Sequence, residues 1–314
     1  VAGGLAPIVA SAEHHAIAMT IAPGPFQLMA HWAAHTKKIR IGTAVAVAPY
    51  WHPIKLAGEV AMADLLSGGR IEFGIGKGAY QREFDRMAGG MNQNIGVPMM
   101  LEMIPALKEL WKGDYEHNGE YWQWPSATSV PKCLQDPHPP IWVAARDPGT
   151  FNASVKEGHH IMTWALTRPF AEVETYMQHF EDALALAPGI ERPRFMTMRH
   201  TAIFENDAEK DIHIAAVQHQ GRQFENLFRN LEPVLNGFPQ PADPEVLVNQ
   251  SEYTEENLMN NLIFGSPEQA IENLKQYETL GVDYFCYNAS FGVPMAEQKK
   301  SLRLFIDKVM PAFQ

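Results

Sequence analysis

The residues best suited to chemistry fall in a few short stretches. Glu13, His14 and His15 close an apolar run that begins at Ile8. Imidazole changes charge near neutral pH and serves proton transfer or metal binding. Strand neighbours point to opposite faces, so His14 and His15 cannot both enter one pocket or chelate one ion. His31 and His35 stand one helical turn apart, a spacing that can bind zinc. No glutamate follows His31, and a solvated helix face is the expectation. The stretch from Leu65 to Phe84, LLSGGRIEFGIGKGAYQREF, places Ile71, Phe73 and Ile75 on one strand face and Arg70, Glu72, Gly74 and Gly76 on the other. Glycine inside a strand marks a close approach by a ligand or by backbone. Lys77 and Gly78 then open a loop at the strand's C-terminal end, where α/β folds place ligands. The spacing is not the dinucleotide fingerprint GxGxxG, because position 79 is alanine and Asp85 comes too early for the ribose acid. A tight strand without a ligand stays open as the plainer reading. Further on, residues 140–145 form a short apolar strand running into Arg146, Asp147, Pro148, Gly149 and Thr150. Asp147 can cap a helix that Pro148 starts, and an arginine beside a helix N-terminus makes an anion site. A capping carboxylate would, however, occupy donors that a phosphate needs. Glu59 lies within an apolar helical stripe and reads as a paired carboxylate at a packing seam before it reads as catalytic.

The elements that must position these groups alternate. Strands are predicted at 8–13, 39–47, 70–75, 140–145, 160–166, 194–204 and 282–287. Helices are predicted at 26–36 behind Pro25, at 53–66 ending near Gly68, and at 98–112, 148–158, 170–186 and 207–235. Ser266-Pro267-Glu268-Gln269 is a capping box whose helix stops at Gly281, and Leu302, Phe305, Ile306 and Val309 mark a closing amphipathic helix. Residues 87–97 read as a flexible connection, and 113–138 and 236–250 as excursions from one domain spanning 1–314. Strand and helix alternate without repeats, which predicts a parallel β/α architecture. Seven strands are legible and an eight-stranded barrel needs one more, so a strand and most of a helix are expected ahead of Val1.

Composition narrows the function. A 314-residue chain with 46% hydrophobic residues can bury a large core, and a net charge of −11 argues against a nucleic-acid groove or an anionic membrane surface. No apolar run approaches the roughly twenty residues of a membrane span. Cys133 and Cys286 are too few for a disulfide framework, so the reducing cytoplasm is the default.

The chain resembles the bacterial luciferase-like flavin-dependent monooxygenases. The resemblance runs through AEHH at 12–15, RIGTAV at 40–45, His52-Pro53, the glycine-rich stretch above, PPIWVAA at 139–145, and FGSPEQ and GVD near the end. It implies a TIM (β/α)8 barrel whose first strand and helix precede the EHH motif. It implies that His14 is the acid/base or hydrogen-bond donor beside the flavin, against the plain reading of a satisfied strand-end histidine. Ala44-Val45 falls where the family carries a non-prolyl cis peptide against the isoalloxazine ring, and Gly76 where light-emitting luciferase has its reactive cysteine. Lys77 matches a phosphate-binding arginine in the loop that Gly78 opens, and Arg146, Asp147 and Thr150 match phosphate contacts. Tyr80 and Trp164 align with the aromatic lining of the flavin and substrate pocket, with barrel packing an equal alternative for Trp164. No metal site is implied.

By resemblance, the activity is that of a two-component monooxygenase. Reduced FMN from a separate flavin reductase would react with molecular oxygen to a peroxyflavin that oxygenates a small organic substrate. A deazaflavin-dependent dehydrogenase on the same barrel, or a non-catalytic flavin-binding subunit, are the rivals. A homodimer through the helices at 25–36 and 53–66 is also implied.

Overall fold

The computed structural model describes residues 7–17, 22–288 and 291–313. Its centre is a parallel sheet. In chain order its strands are β1 (Ile8–Ser11), β2 (Arg40–Thr43), β3 (Ala46–Val47) and β4 (Ile71–Gly76). After the hairpin β5 (Tyr115–Asn118) and β6 (Gln123–Ala127) come β7 (Ile141–Ala144), β8 (His160–Trp164) and β9 (Phe195–Ile203). A small hairpin, β10 (Val234–Leu235) with β11 (Phe238–Pro239), precedes β12 (Ile263–Gly265) and β13 (Tyr284–Asn288). The path β1-β2-β4-β7-β8-β9 is continuous, β13 lies along Met196–His200 of β9, and β12 pairs with its last residues. Every ladder among these is parallel, so all C-terminal strand ends open on one rim.

The central strands, β4, β7 and β8 among them, are buried on both faces. Trp142, Met162, Met196 and Tyr284 fill the concave interior beside Val45 and Ala144, while helices cover the outside. At the N-terminal end of the sheet the Glu72 carboxylate is buried between Arg40 and the Trp142 indole, whose N–H it accepts at 2.6 Å. A buried acid needs such partners to stay ionised. Gly68 and Gly281, both left-handed, end α2 (Pro53–Ser67) and α9 (Pro267–Leu280), and the reciprocal capping box at Ser266 and Gln269 starts the latter. No helix among the described residues is long and apolar enough to cross a membrane.

The structure corrects several boundaries. β1 stops at Ser11 rather than residue 13, because the chain turns to aim Glu13 inward. A helix, α3 (Gln81–Met87), follows Tyr80 where only a loop was expected. The connection at 87–97 contains a 3-10 turn at Gln93–Ile95 and gives way to α4 (Gly96–Lys112). The long helix α7 (Asp207–Arg229) ends six residues early, where Asn230 takes a left-handed conformation. The final helix, α10 (Met295–Leu304), passes into a π-helical turn, and of its expected stripe Val309 is buried while Leu302 and Ile306 are exposed. β12 was not anticipated. In α2, Ala57, Val60 and Ala61 are buried within this chain, whereas Leu65 is exposed. The buried acid of that helix is Asp64, which accepts the Leu134 and Gln135 backbone N–H groups at 2.8 Å each, and Glu59 is half-buried.

Candidate active site at the strand C-termini

The rim gathers most of the residues singled out above. The backbone leaving β1 is tied to the segment after β2: Ala44 N–H donates to Ser11 at 2.8 Å and Glu13 N–H to Val45 at 3.2 Å. The Ala44-Val45 peptide is cis. Thr43 bridges to β4 in place of a backbone ladder, its hydroxyl donating to the Gly74 carbonyl at 2.6 Å and accepting the Gly74 N–H at 2.9 Å. Gly76 lies directly against Val45, and a Cβ there would stand 2.5 Å from Val45 Cγ2. Gly78 has φ +82° with the Phe84 ring beside it, so the turn out of β4 requires glycine.

Two buried carboxylates organise the histidines. Glu83, on the first turn of α3, is 1% exposed; its Oε2 lies 3.1 Å from His14 Nδ1, and its Oε1 accepts the His15 N–H at 2.6 Å. Glu13 is 2% exposed and lies 2.8 Å from His15 Nε2. It also accepts the Val47 N–H at 2.8 Å and the Trp51 indole N–H at 2.9 Å. The hydrogen bond to Glu13 raises the pKa of His15 above the usual imidazole value against the opposing effect of burial. The two rings diverge: His14 faces Tyr80, centroids 5.8 Å apart, and His15 faces Tyr50 at 5.6 Å. They part as expected, although the cause is the turn after Ser11 rather than strand alternation. Glu13 was visible in the EHH motif, but nothing in the sequence linked Glu83 to a histidine 69 residues earlier.

Lys77 and Arg146 are both exposed at the ends of β4 and β7. Asp147 caps α5 (Pro148–Lys156), accepting the Thr150 N–H at 2.9 Å and the Thr150 hydroxyl at 2.8 Å. Burial pushes the Asp147 carboxyl up, but these bonds and the Lys77 charge outweigh it and hold its pKa below the usual range. The anticipated competition is therefore present: both Thr150 donors are engaged by the cap. Among the described residues, Lys77 and Arg146 are exposed cations placed to meet an anion here. Arg146 acts electrostatically on Tyr80 and Tyr176.

Next along the rim, at the end of β8, Trp164 stands edge-on to His200 and Phe224, each at 5.7 Å. Its indole N–H is buried without a partner among the described residues, as is Gln220 Oε1. His200 is buried beside Arg199, and both effects lower its pKa to about 3, so it stays neutral at physiological pH. Sequence reading missed His200, Gln220 and Phe224 as lining. Their only signal was the polar pair Arg199-His200 late in a strand. His31 and His35 lie one turn apart on α1 (Pro25–His35) with their rings tilted at 37°, and His35 Nδ1 is 2.9 Å from the His31 carbonyl.

The luciferase-like monooxygenase family model matches residues 7–284. The chain is 44% identical over 303 residues to the oxygenase component of a flavin-dependent trigonelline monooxygenase of Acinetobacter baylyi, covering 96% of this chain and 84% of the relative. Among solved structures, monooxygenase RslO1 of Streptomyces bottropensis aligns with a TM-score of 0.82 at 22% identity, over 98% of this chain and 89% of that one. The oxygenating constituent of 3,6-diketocamphane monooxygenase of Pseudomonas putida, a type II Baeyer-Villiger enzyme in complex with FMN, aligns with a TM-score of 0.73 at 19% identity, over 97% and 88%. Those two structures speak for the fold alone. The family match spans most of the sequence, the nearly full-length relative supports it, and the chain belongs to the luciferase-like monooxygenase family.

Proposed function

We propose that this chain is the oxygenase component of a two-component flavin-dependent monooxygenase. Reduced FMN would come from a separate reductase, and molecular oxygen and a small organic substrate would meet it at the rim. The observation that carries this reading is the convergence of His14, bonded to a buried carboxylate, with the Ala44-Val45 segment packed against Gly76 and two exposed cations at Lys77 and Arg146. That set fits a flavin mononucleotide. A flat ring needs a closely packed floor, which Gly76 permits by letting Val45 lie directly on β4, and a phosphate needs cations. The Trp164 indole N–H and the Tyr50 hydroxyl are buried polar groups without a partner among the described residues, the kind a bound ligand or water satisfies.

When bound, reduced flavin supplies the electrons that activate oxygen. The chain's own part is different. Lys77 offers a point charge and Arg146 a planar fork to the phosphate, Val45 and Gly76 bound the ring on one side, and Tyr80 and Trp164 wall the substrate from water. His14 holds or moves one proton. Two copies pairing through α1 and α2 complete the proposal, with Met62, Leu65 and Leu66 supplying exposed apolar surface on α2; sedimentation at the mass of a single chain would contradict the pairing.

Charge-assisted hydrogen bonds are worth about 1.5–3 kcal/mol each. Lys77→Ala and Arg146→Ala are therefore expected to weaken FMN binding by about 10- to 100-fold each, as read by quenching of flavin fluorescence. Thr150→Val should change it little, because Asp147 already holds the hydroxyl. Wild-type affinity in both cation variants would sink the placement of the phosphate. Trigonelline, the compound in the relative's name, is the first substrate to try.

A further inference from the structure

His14 is a candidate for moving a proton, but an imidazole can begin by giving one or by taking one. Which it does depends on which nitrogen carries hydrogen, and that is set by the partner of the other nitrogen. The partner here is Glu83. Its Oε1 is committed to the His15 backbone N–H at 2.6 Å, a group that can only donate. Its Oε2 lies 3.1 Å from His14 Nδ1. An ionised carboxylate has only acceptors, so it pairs with Nδ1 only when Nδ1 carries hydrogen. His14 Nε2 has no partner among the described residues, and 18% of the side chain remains exposed.

We infer that Glu83 is a positioning residue that holds His14 in the tautomer with hydrogen on Nδ1, so that His14 acts first as a proton acceptor through Nε2. This rests on the reading of the rim as the oxygenase site. The step is a plain proton transfer: an acidic X–H of the substrate or of a bound water gives its proton to Nε2, X keeps the electron pair, and the imidazolium lies against the Glu83 carboxylate until the proton is returned. No oxidant or reductant takes part.

The geometry makes Glu83→Gln an informative change. The glutamine oxygen must serve the buried His15 N–H, because turning the amide round would set two donors face to face and leave a buried group unpaired. The amide NH2 then faces His14 Nδ1, which can receive it only as a lone pair. Hydrogen moves to Nε2, and the acceptor is lost from the atom left unbonded. Wrong tautomers in histidine–carboxylate pairs elsewhere cost orders of magnitude in rate.

Nitrogen-15 NMR of the purified, flavin-free chain, with the His14 signals assigned by their loss in His14→Ala, reads the tautomer directly. Expected are a protonated Nδ1 and an unprotonated Nε2 in the parent, and the reverse in Glu83→Gln. The Gln variant should bind FMN as the parent does but oxygenate substrate at least tenfold more slowly, and Glu83→Asp should recover part of the loss. Hydrogen on Nε2 in the parent would overturn the inference, as would parental turnover in a Gln variant with an inverted ring. Because the parent measurement needs neither flavin nor a variant, it stands if Glu83→Gln fails to fold. A parent that oxygenates nothing would sink the proposed function while leaving the tautomer result intact.

Discussion

Replacing His14 with alanine is expected to lower oxygenation by about 10²- to 10⁴-fold, the range supplied by a positioned acid or base. FMN binding should stay near the parental value. The separation follows from the rim's layout: the phosphate is proposed to meet Lys77 and Arg146 on β4 and β7, while His14 leaves β1 and is bonded to Glu83. Single-turnover product formation and flavin fluorescence read the two effects independently. If His14→Ala bound FMN and formed product at the parental rate, His14 would be a satisfied strand-end histidine after all. A parallel loss of both would mean that removing the ring released Glu83 and collapsed the loop instead.

Gly74→Ala should produce the largest loss of stability. A methyl group there would overlap the Thr43 backbone carbonyl and stand 3.0 Å from Met162 Cε. Backbone cannot swing aside as a side-chain tip can, so β2 and β4 would have to part where the Thr43 hydroxyl bonds both Gly74 backbone groups. Overpacking of a close-packed core costs about 1–3 kcal/mol and sometimes more, and the upper end applies here. At roughly 2 °C per kcal/mol for a chain of this size, the melting temperature should fall by about 6 °C or more. Flavin binding should suffer too, because the same contact positions the Ala44-Val45 segment beside Gly76. An unchanged melting temperature would show that the two strands part freely at this point.

The frame was legible because barrel strands are short apolar runs punctuated by strong turn signals. Ile71, Phe73 and Ile75 announced β4, Pro148 behind Asp147 announced α5, and the Ser266 box announced α9. What escaped reading has physical reasons. β12 is three residues long, too short to show a period. α3 follows a glycine loop, and its seven residues, QREFDRM, are mostly charged or polar, so burial of Arg82, Glu83 and Phe84 came from tertiary partners rather than from pattern. α7 kept a helical rhythm past Arg229, yet Asn230 adopts φ 53°, and Arg82 donates two hydrogen bonds to its side chain.

The site divides along the same line. Single residues with a chemical signature, such as His14, Gly76 and Lys77, could be picked out as candidates, and the fold brings them to one rim. Pairings across long sequence distances could not be picked out. Glu83 reads as one more acid after a glycine loop until the fold carries it beside His14. Asp147 shows the converse. Its capping role followed from local chemistry alone, and the structure bears it out at 2.9 Å. Glu59 drew notice from its place in an apolar stripe, whereas Asp64, one and a half turns later, is the acid that the fold buries.

The central claim is that this chain takes reduced FMN and directs oxygen to a substrate. Stopped-flow absorbance, mixing the chain and reduced FMN with oxygenated buffer, tests it most directly. A long-lived species distinct from both reduced and oxidised FMN is expected, decaying faster with formation of product when the right substrate is added. Reoxidation indistinguishable from that of free flavin, with a reduced deazaflavin retained by the chain through dialysis, would contradict it and assign the same rim to hydride transfer.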